Sequence, residues 1–182
     1  MKLVRAVLLS VLGTMLTMQT PLGVTAVQAA NDKIKWEDIA GVTTPVIADA
    51  TTPGAVVPND VQTIPPGGRP WFVQSGNAEF RPVNGELRFK VKGLVLLGGA
   101  TTGTTGPVKQ VKGTIVCNGP VVVDTDPVPL SPQGDAEFHG RVTPVPSCVN
   151  PIFLIRIGPG TPGSTADRWI AAGVVRRPGV DE

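Results

Sequence analysis

The sequence contains no tyrosine and a single histidine, His139, and its aromatic residues are three tryptophans and five phenylalanines. These absences exclude many catalytic arrangements, because any nucleophile activated by histidine would have to use His139. The serines after residue 30 lie in turn-like segments, and none sits in a Gly-x-Ser-x-Gly motif. We therefore expect no catalytic residues, favour a protein that is not an enzyme, and interpret His139 as a solvated surface residue.

A hydrophobic run long enough to span a membrane is also absent. The apolar run near the start extends from Ala6 to about Leu16, which is too short for a membrane-spanning helix. It follows two basic residues and precedes small residues that end near Ala29, the layout of a secretory signal peptide. We expect residues 1–29 to be this signal peptide. The mature chain, with no transmembrane segment, would then be secreted to the extracellular space or the periplasm of a bacterium.

An excess of charge of one sign is missing from the mature chain. The whole sequence has 16 basic and 14 acidic residues. Removing Lys2 and Arg5 with the signal peptide leaves 14 basic residues against 14 acidic ones. Nucleic-acid binding requires a basic field, so we expect no nucleic-acid partner.

Two cysteines are present, Cys117 and Cys148, and both lie in the mature region. In an exported protein two cysteines are expected to pair. A closed loop of about 30 residues would be worth roughly 3–4 kcal/mol of stability in the chain-entropy model. Their spacing is not Cys-x-x-Cys and no further ligands lie nearby, which argues against a zinc site. We predict a disulfide bond.

Proline and glycine are frequent in the segment 30–70, where Pro-Gly pairs occur at residues 53–54 and 66–67. Prolines at this density remove the backbone donors that a helix or a central strand requires. We expect this segment to be an extended, mostly irregular Pro/Thr-rich arm. It is either a flexible spacer or a segment that docks on the domain as an added sheet edge through Trp36 and Val46–Ile47.

From residue 71 onward the pattern is that of short β-strands. Leu87, Phe89 and Val91 alternate with basic residues, which is the period of two of a half-buried strand. The Asn-Gly pair at residues 84–85 precedes this strand and fits a two-residue type I′ hairpin turn.

Further turns and strands follow. Asn-Gly at 118–119 and a Ser-Pro-Gln-Gly-Asp segment at 131–135 predict two more turns. The nearly continuous apolar run 151–157 predicts a central strand, and Trp71 and Trp169 are candidate core residues. We expect residues 71–182 to form one all-β domain, an antiparallel β-sandwich of the immunoglobulin-like kind, with a small barrel as the alternative.

Several short segments carry a family likeness over roughly residues 86–175. They are Val-Cys-Asn-Gly at 116–119, the Pro-rich segment 127–136, Cys148, Pro-Ile-Phe-Leu-Ile-Arg at 151–156 and Trp-Ile-Ala at 169–171. In these segments the chain resembles uncharacterised exported bacterial proteins. The resemblance implies export, one cysteine pair and an all-β domain, and it implies no catalytic residue.

Four basic residues form the candidate binding surface. Arg88, Lys90 and Lys92 share one strand face, and Lys112 could lie alongside them on a neighbouring strand. Such a stripe could contact an anionic surface polymer or an acidic patch of another protein. It could equally be an ordinary solvated face that keeps an edge strand from aggregating.

Metal and phosphate sites have weaker candidates. Three carboxylates, those of Asp124, Asp126 and Asp135, could hold a calcium ion together with loop carbonyls. Their spacing is not that of an EF-hand, and turn formation explains the same residues. The glycine-rich segment 98–109 lacks the phosphate-loop motif, so we interpret it as a loop between strands. No cofactor is expected.

The sequence therefore predicts a secreted, non-catalytic binding or structural module that acts through its basic strand face and its loops. Two alternatives stay open: a secreted hydrolase with a carboxylate or calcium site, and a subunit that exchanges its N-terminal strand with a neighbour. A hydrolase needs a pocket with converging polar groups. A strand-exchanging subunit would leave Trp36 and Val46 without a place in their own domain.

Overall fold

A computed structural model describes residues 33–43, 46–47, 55–56, 60–117, 122–148, 150–161 and 167–174. Its strands are β1 (Ile34–Trp36), β2 (Asp38–Gly41), β3 (Val46–Ile47), β4 (Ala55–Val56), β5 (Trp71–Phe72), β6 (Ser75–Arg81), β7 (Glu86–Lys92), β8 (Val95–Leu96), β9 (Gln110–Val116), β10 (Val122–Asp124), β11 (Val128–Pro129), β12 (Ala136–Arg141), β13 (Ile152–Ile157) and β14 (Trp169–Val174). These strands pair in antiparallel fashion, and the described residues include no helix. The all-β, antiparallel expectation is confirmed.

A four-stranded sheet has the strand order β1-β6-β7-β12. Its strand β7 follows the predicted alternation: Leu87, Phe89 and Val91 are buried, and the residues between them are exposed. The apolar side chains of this sheet therefore face the core, and its charged side chains face the solvent.

The hairpin between β6 and β7 is confirmed, but the prediction of a two-residue type I′ turn is wrong. Arg81 and Glu86 form the last cross-strand pair, so the connecting loop has four residues. Gly85 adopts a positive φ of 70°, whereas Asn84 does not and instead accepts a hydrogen bond from the Glu86 amide. The loop is shaped by its neighbour: the Val142 amide donates to the Gly85 carbonyl, and a Cβ at Gly85 would collide with the Val142 carbonyl oxygen.

A six-stranded sheet has the order β10-β9-β13-β14-β2, and β11 also pairs with β9. Strand β13 lies between β9 and β14, as expected for a central strand. Its consecutive residues Phe153, Leu154 and Ile155 are all fully buried. Because successive side chains point to opposite faces of a sheet, both faces of the sheet are covered at this point.

The two large sheets pack against each other through aromatic rings. The ring of Phe153 in the six-stranded sheet lies 5.5 Å from that of Phe89 and 5.7 Å from that of Trp36, both in the four-stranded sheet. Trp71 and Trp169 are also buried, as predicted. The core therefore lies between the two sheets.

Part of the N-terminal segment belongs to both sheets. Strand β1 pairs with β6, and β2 pairs with β14, so residues 33–43 pass from one sheet to the other. Trp36 is 1% exposed and lies in the core of its own chain, whereas the strand-exchange alternative required it to have no place there. Val46–Ile47 pairs with Ala55–Val56 in a separate two-stranded sheet. The predicted signal peptide, residues 1–29, lies outside the described residues.

The predicted cysteine pair is confirmed. Cys117 follows β9 and Cys148 lies between β12 and β13; their sulfur atoms are at disulfide-bond distance and their Cα atoms are 5.1 Å apart. The link ties the end of a strand in one sheet to the connection that returns from the other sheet. None of the described ranges contains an apolar helix of membrane-spanning length.

Candidate functional site

The structure brings three of the four predicted basic residues together and separates the fourth. Arg88, Lys90 and Lys92 lie on the solvent face of β7 in the four-stranded sheet. Lys112 lies on β9 in the six-stranded sheet, where its side chain is only 14% exposed and pairs with Asp124. The side chain of Lys90, by contrast, is 50% exposed.

Strand register adds further basic residues to the three on β7. Lys35 stands opposite Glu79, which stands opposite Arg88. The resulting set of outward charged residues is called the basic face below. It comprises Lys33, Lys35, Arg81, Arg88, Lys90, Lys92 and Arg141 with the acidic Glu79, Glu86, Asp135 and Glu137. Seven basic groups against four acidic ones give this face a net charge of about +3 at neutral pH.

Three of the four acidic groups of the basic face are paired with its cations, and the fourth, Asp135, accepts a hydrogen bond from the Gly93 amide. Glu79 pairs with both Lys33, at 3.1 Å, and Arg88. The other two pairs, Arg81 with Glu86 and Lys90 with Glu137, each have a nitrogen–oxygen distance of 2.9 Å. Among the described residues, Lys35, Lys92 and Arg141 form no ion pair on this face. These three cations are available to an external anion.

The acidic groups respond to their basic neighbours. Burial alone would raise the pKa of the Glu79 carboxyl, but hydrogen bonds and charge from Lys33 and Arg88 bring that pKa below its usual value. The hydrogen bond and charge of Lys90 lower the pKa of the exposed Glu137 carboxyl. Both carboxylates are therefore ionised at neutral pH. The net charge of the basic face is positive because its basic residues outnumber its acidic ones.

On the described strands, the solvent face of the four-stranded sheet carries no phenylalanine or tryptophan ring. Phe80 and Phe89 are buried, and Phe138 is half-buried with its ring 6.0 Å from that of Phe89. His139 is the one ring-bearing side chain on the solvent side of the described strands of this sheet; it is exposed and stands opposite Arg88. Ligands can therefore meet the described strands of this face through charge and hydrogen bonds, without a phenylalanine or tryptophan ring to stack on.

A second charged cluster lies on the six-stranded sheet. Asp124 Oδ2 accepts a hydrogen bond from Lys112 at 2.8 Å, its Oδ1 accepts one from Thr114 at 2.7 Å, and Arg156 contacts both oxygens. Burial by itself raises the pKa of Asp124, but these hydrogen bonds and positive charges lower it below the usual value. Lys112 and Arg156 also pair with Asp167, so two cations balance two anions.

The three candidate metal ligands do not form a cluster. Asp124 is held by Lys112 and Arg156, and Asp135 Oδ1 accepts a hydrogen bond from the Gly93 amide at 3.1 Å. Asp126 is exposed. Within the described ranges, no group of three or more histidine, cysteine, aspartate or glutamate side chains could hold a metal ion.

Comparison with known proteins adds no family to this description. No family model, no curated protein and no solved structure matches the chain.

Proposed function

We propose that the protein is an exported, non-catalytic binding module whose basic face holds an anionic polymer. The observation that carries the proposal is the imbalance of that face: seven cations against four anions, with three cations that form no ion pair on it. Lys112 is not part of the proposed surface, because it is engaged with Asp124 and Asp167 on the other sheet.

The geometry of the face favours a repeating ligand. Alternate residues of one strand are about 7 Å apart and neighbouring strands about 4.8 Å apart, so Arg88, Lys90 and Lys92 form a row of evenly spaced charges. A polymer with an anionic group on each repeat unit could meet several of these cations at once. The absence of outward phenylalanine and tryptophan rings on β6, β7 and β12 disfavours single-stranded nucleic acid, whose bases stack on such rings.

Export and the finer fold assignment belong to the same proposal. A disulfide bond is typical of proteins in oxidising compartments, and it supports the secretion that the N-terminal sequence predicts. The chain runs from β7 to β9, back to β12 and again to β13, alternating between the two large sheets. This alternation supports an immunoglobulin-like sandwich as the form of the fold.

Binding to dextran sulfate, with uncharged dextran as the matched control polymer, tests the proposal. We expect the protein to bind dextran sulfate with an affinity that falls as salt is added, because exposed charges are screened, and not to bind dextran. The double variant Lys92→Gln/Arg141→Gln should bind about fivefold more weakly, given the modest worth of each exposed charge pair.

The control variant removes the same amount of charge elsewhere. Arg69→Gln/Lys109→Gln also loses two positive charges, from exposed residues outside the basic face, and should bind dextran sulfate nearly as well as the wild type. Equal losses in the two double variants would show that only net charge matters and would refute a site on this face. Tighter binding to single-stranded DNA than to dextran sulfate would refute the ligand class.

A further inference from the structure

A cleft of about 430 Å³ lies beside the ribbon formed by β5 and β8, which contribute Trp71 and Leu96 to its lining. Its walls are the apolar side chains of Trp71, Leu96, Val108 and Ile157, each of which is at most 4% exposed. Its volume lies within the range of small-molecule sites. Because these side chains are almost fully buried, each presents only a small part of its surface to the cleft, and the exposed Gly68 and Pro107 also line it.

Among the described residues that line the cleft, Arg69 is the one cation. Arg69 lines the cleft and is exposed, and its guanidinium donates a hydrogen bond to the Thr101 hydroxyl at 2.9 Å. The described residues that line the cleft include no acidic side chain, and Arg69 makes no ion pair with a described carboxylate. Most of the five donors of this guanidinium therefore remain available.

The glycine-rich segment after β8 is held in place as one side of this cleft. The Leu96 amide donates to the Thr104 carbonyl at 2.9 Å, and the Gly103 amide donates to the Leu96 carbonyl at 3.0 Å. The Leu97 amide also donates to the Pro70 carbonyl at 2.9 Å. Gly68, on the other side, is exposed, and a side chain added there would meet nothing within 4 Å. The cleft is therefore open at Gly68, and its opposite side is the segment that these hydrogen bonds hold in place.

We propose that this cleft binds a small amphiphile, with its aliphatic chain against Trp71 and Leu96 and its carboxylate on Arg69. An apolar wall with one unpaired guanidinium at the rim is complementary to such a molecule, because Arg presents a fork of donors that fits a carboxylate. This site is separate from the basic face and takes a different class of ligand.

Octanoate and octanol form a matched pair of probes, because they share the chain and differ in the charged head. Titration calorimetry of the wild-type protein should show octanoate binding more tightly than octanol. Across the series from butanoate to decanoate, affinity should rise up to about fourfold per methylene until the cleft is filled. Failure of both probes to bind would overturn the proposal.

Two variants locate the site. Arg69→Gln should weaken octanoate at least fivefold and leave octanol unchanged, because it removes the charge and keeps the chain length. Gly68→Trp should abolish binding of both probes by filling the opening, and a melting curve like that of the wild type would show that it folds. If either variant bound octanoate as tightly as the wild type, the assignment of binding to this cleft would be refuted.

Octanoate binding in the cleft does not depend on whether the basic face binds a polymer. Lys92→Gln/Arg141→Gln should leave octanoate binding unchanged, and loss of octanoate binding in that variant would contradict the assignment to the cleft.

Discussion

Removing the disulfide should lower the stability of the protein by a calculable amount. Cys117 and Cys148 are 31 residues apart, and in the chain-entropy model a loop of this length stabilises the fold by roughly 3.7 kcal/mol at 25 °C. The closed loop contains β10, β11 and β12, so the unfolded chain loses much freedom when it is cross-linked. We expect the Cys117→Ala/Cys148→Ala variant to melt about 7–15 °C below the wild type.

Urea unfolding of the oxidised protein, the reduced protein and the double variant measures this effect. Reduced wild type and the variant should share nearly the same midpoint, because Cys117 is buried as a small apolar group and alanine replaces most of it. The slope of free energy against urea should increase without the cross-link, because a less constrained unfolded chain exposes more surface. An unchanged midpoint after reduction, or two free thiols in native material, would refute the reasoning.

Three further predictions concern the core, a turn and an ion-pair network. Phe153→Ala should lower the free energy of unfolding in urea by about 3–5 kcal/mol, because the ring is fully buried between the sheets. Phe72→Ala should lower it far less, because Phe72 is 48% exposed. Similar losses in the two variants would contradict the assigned core. Gly134→Ala should destabilise the protein more than Gly160→Ala. Both glycines have a positive φ, but only a Cβ added at Gly134 would collide with the Leu94 backbone. A higher melting temperature for Gly134→Ala than for Gly160→Ala would refute this. Asp124 has a lowered pKa in the folded protein, so its charge stabilises the fold at neutral pH and that contribution is lost as the pH falls below the ordinary aspartate pKa. The free energy of unfolding should therefore fall less steeply with decreasing pH in Asp124→Asn than in the wild type. Parallel curves of this free energy against pH would contradict the prediction.

Features that depend on local pattern could be predicted from the sequence. The alternation on β7 placed Arg88, Lys90 and Lys92 on one face because side chains of a strand alternate regardless of what surrounds it. The unbroken apolar run of β13 indicated a strand covered on both sides, and two cysteines in an otherwise cysteine-free chain indicated the bond.

Features that depend on pairing could not be predicted in this way. The pattern of β9 says which of its residues share a face but not which sheet it joins, so the sequence could not show that Lys112 lies on a different sheet from β7. The contributions of Lys35 and Arg141 to the basic face follow only from the registers of β1 and β12. Similarly, the cations that hold Asp124 are 12 and 32 residues away, so its local sequence suggested a metal ligand instead.

The N-terminal segment shows a further limit. Strands β1 and β2 are short and separated by the single residue Glu37, and they join different sheets. Nothing in a stretch of eight residues signals such a change of partner, because each strand is stabilised by the sheet that it joins. Trp36 is the useful signal: a large apolar ring in a polar segment indicates docking, and this ring packs on Phe153.

Mapping the bound polymer on the protein tests the central claim most directly. Dextran sulfate titrated into isotope-labelled protein should shift the backbone amide resonances of β6, β7 and β12, with the largest changes near Lys92 and Arg141, and uncharged dextran should shift none. Changes centred instead on β9 and β10 around Asp124, or no changes at all, would contradict the assignment of binding to the basic face.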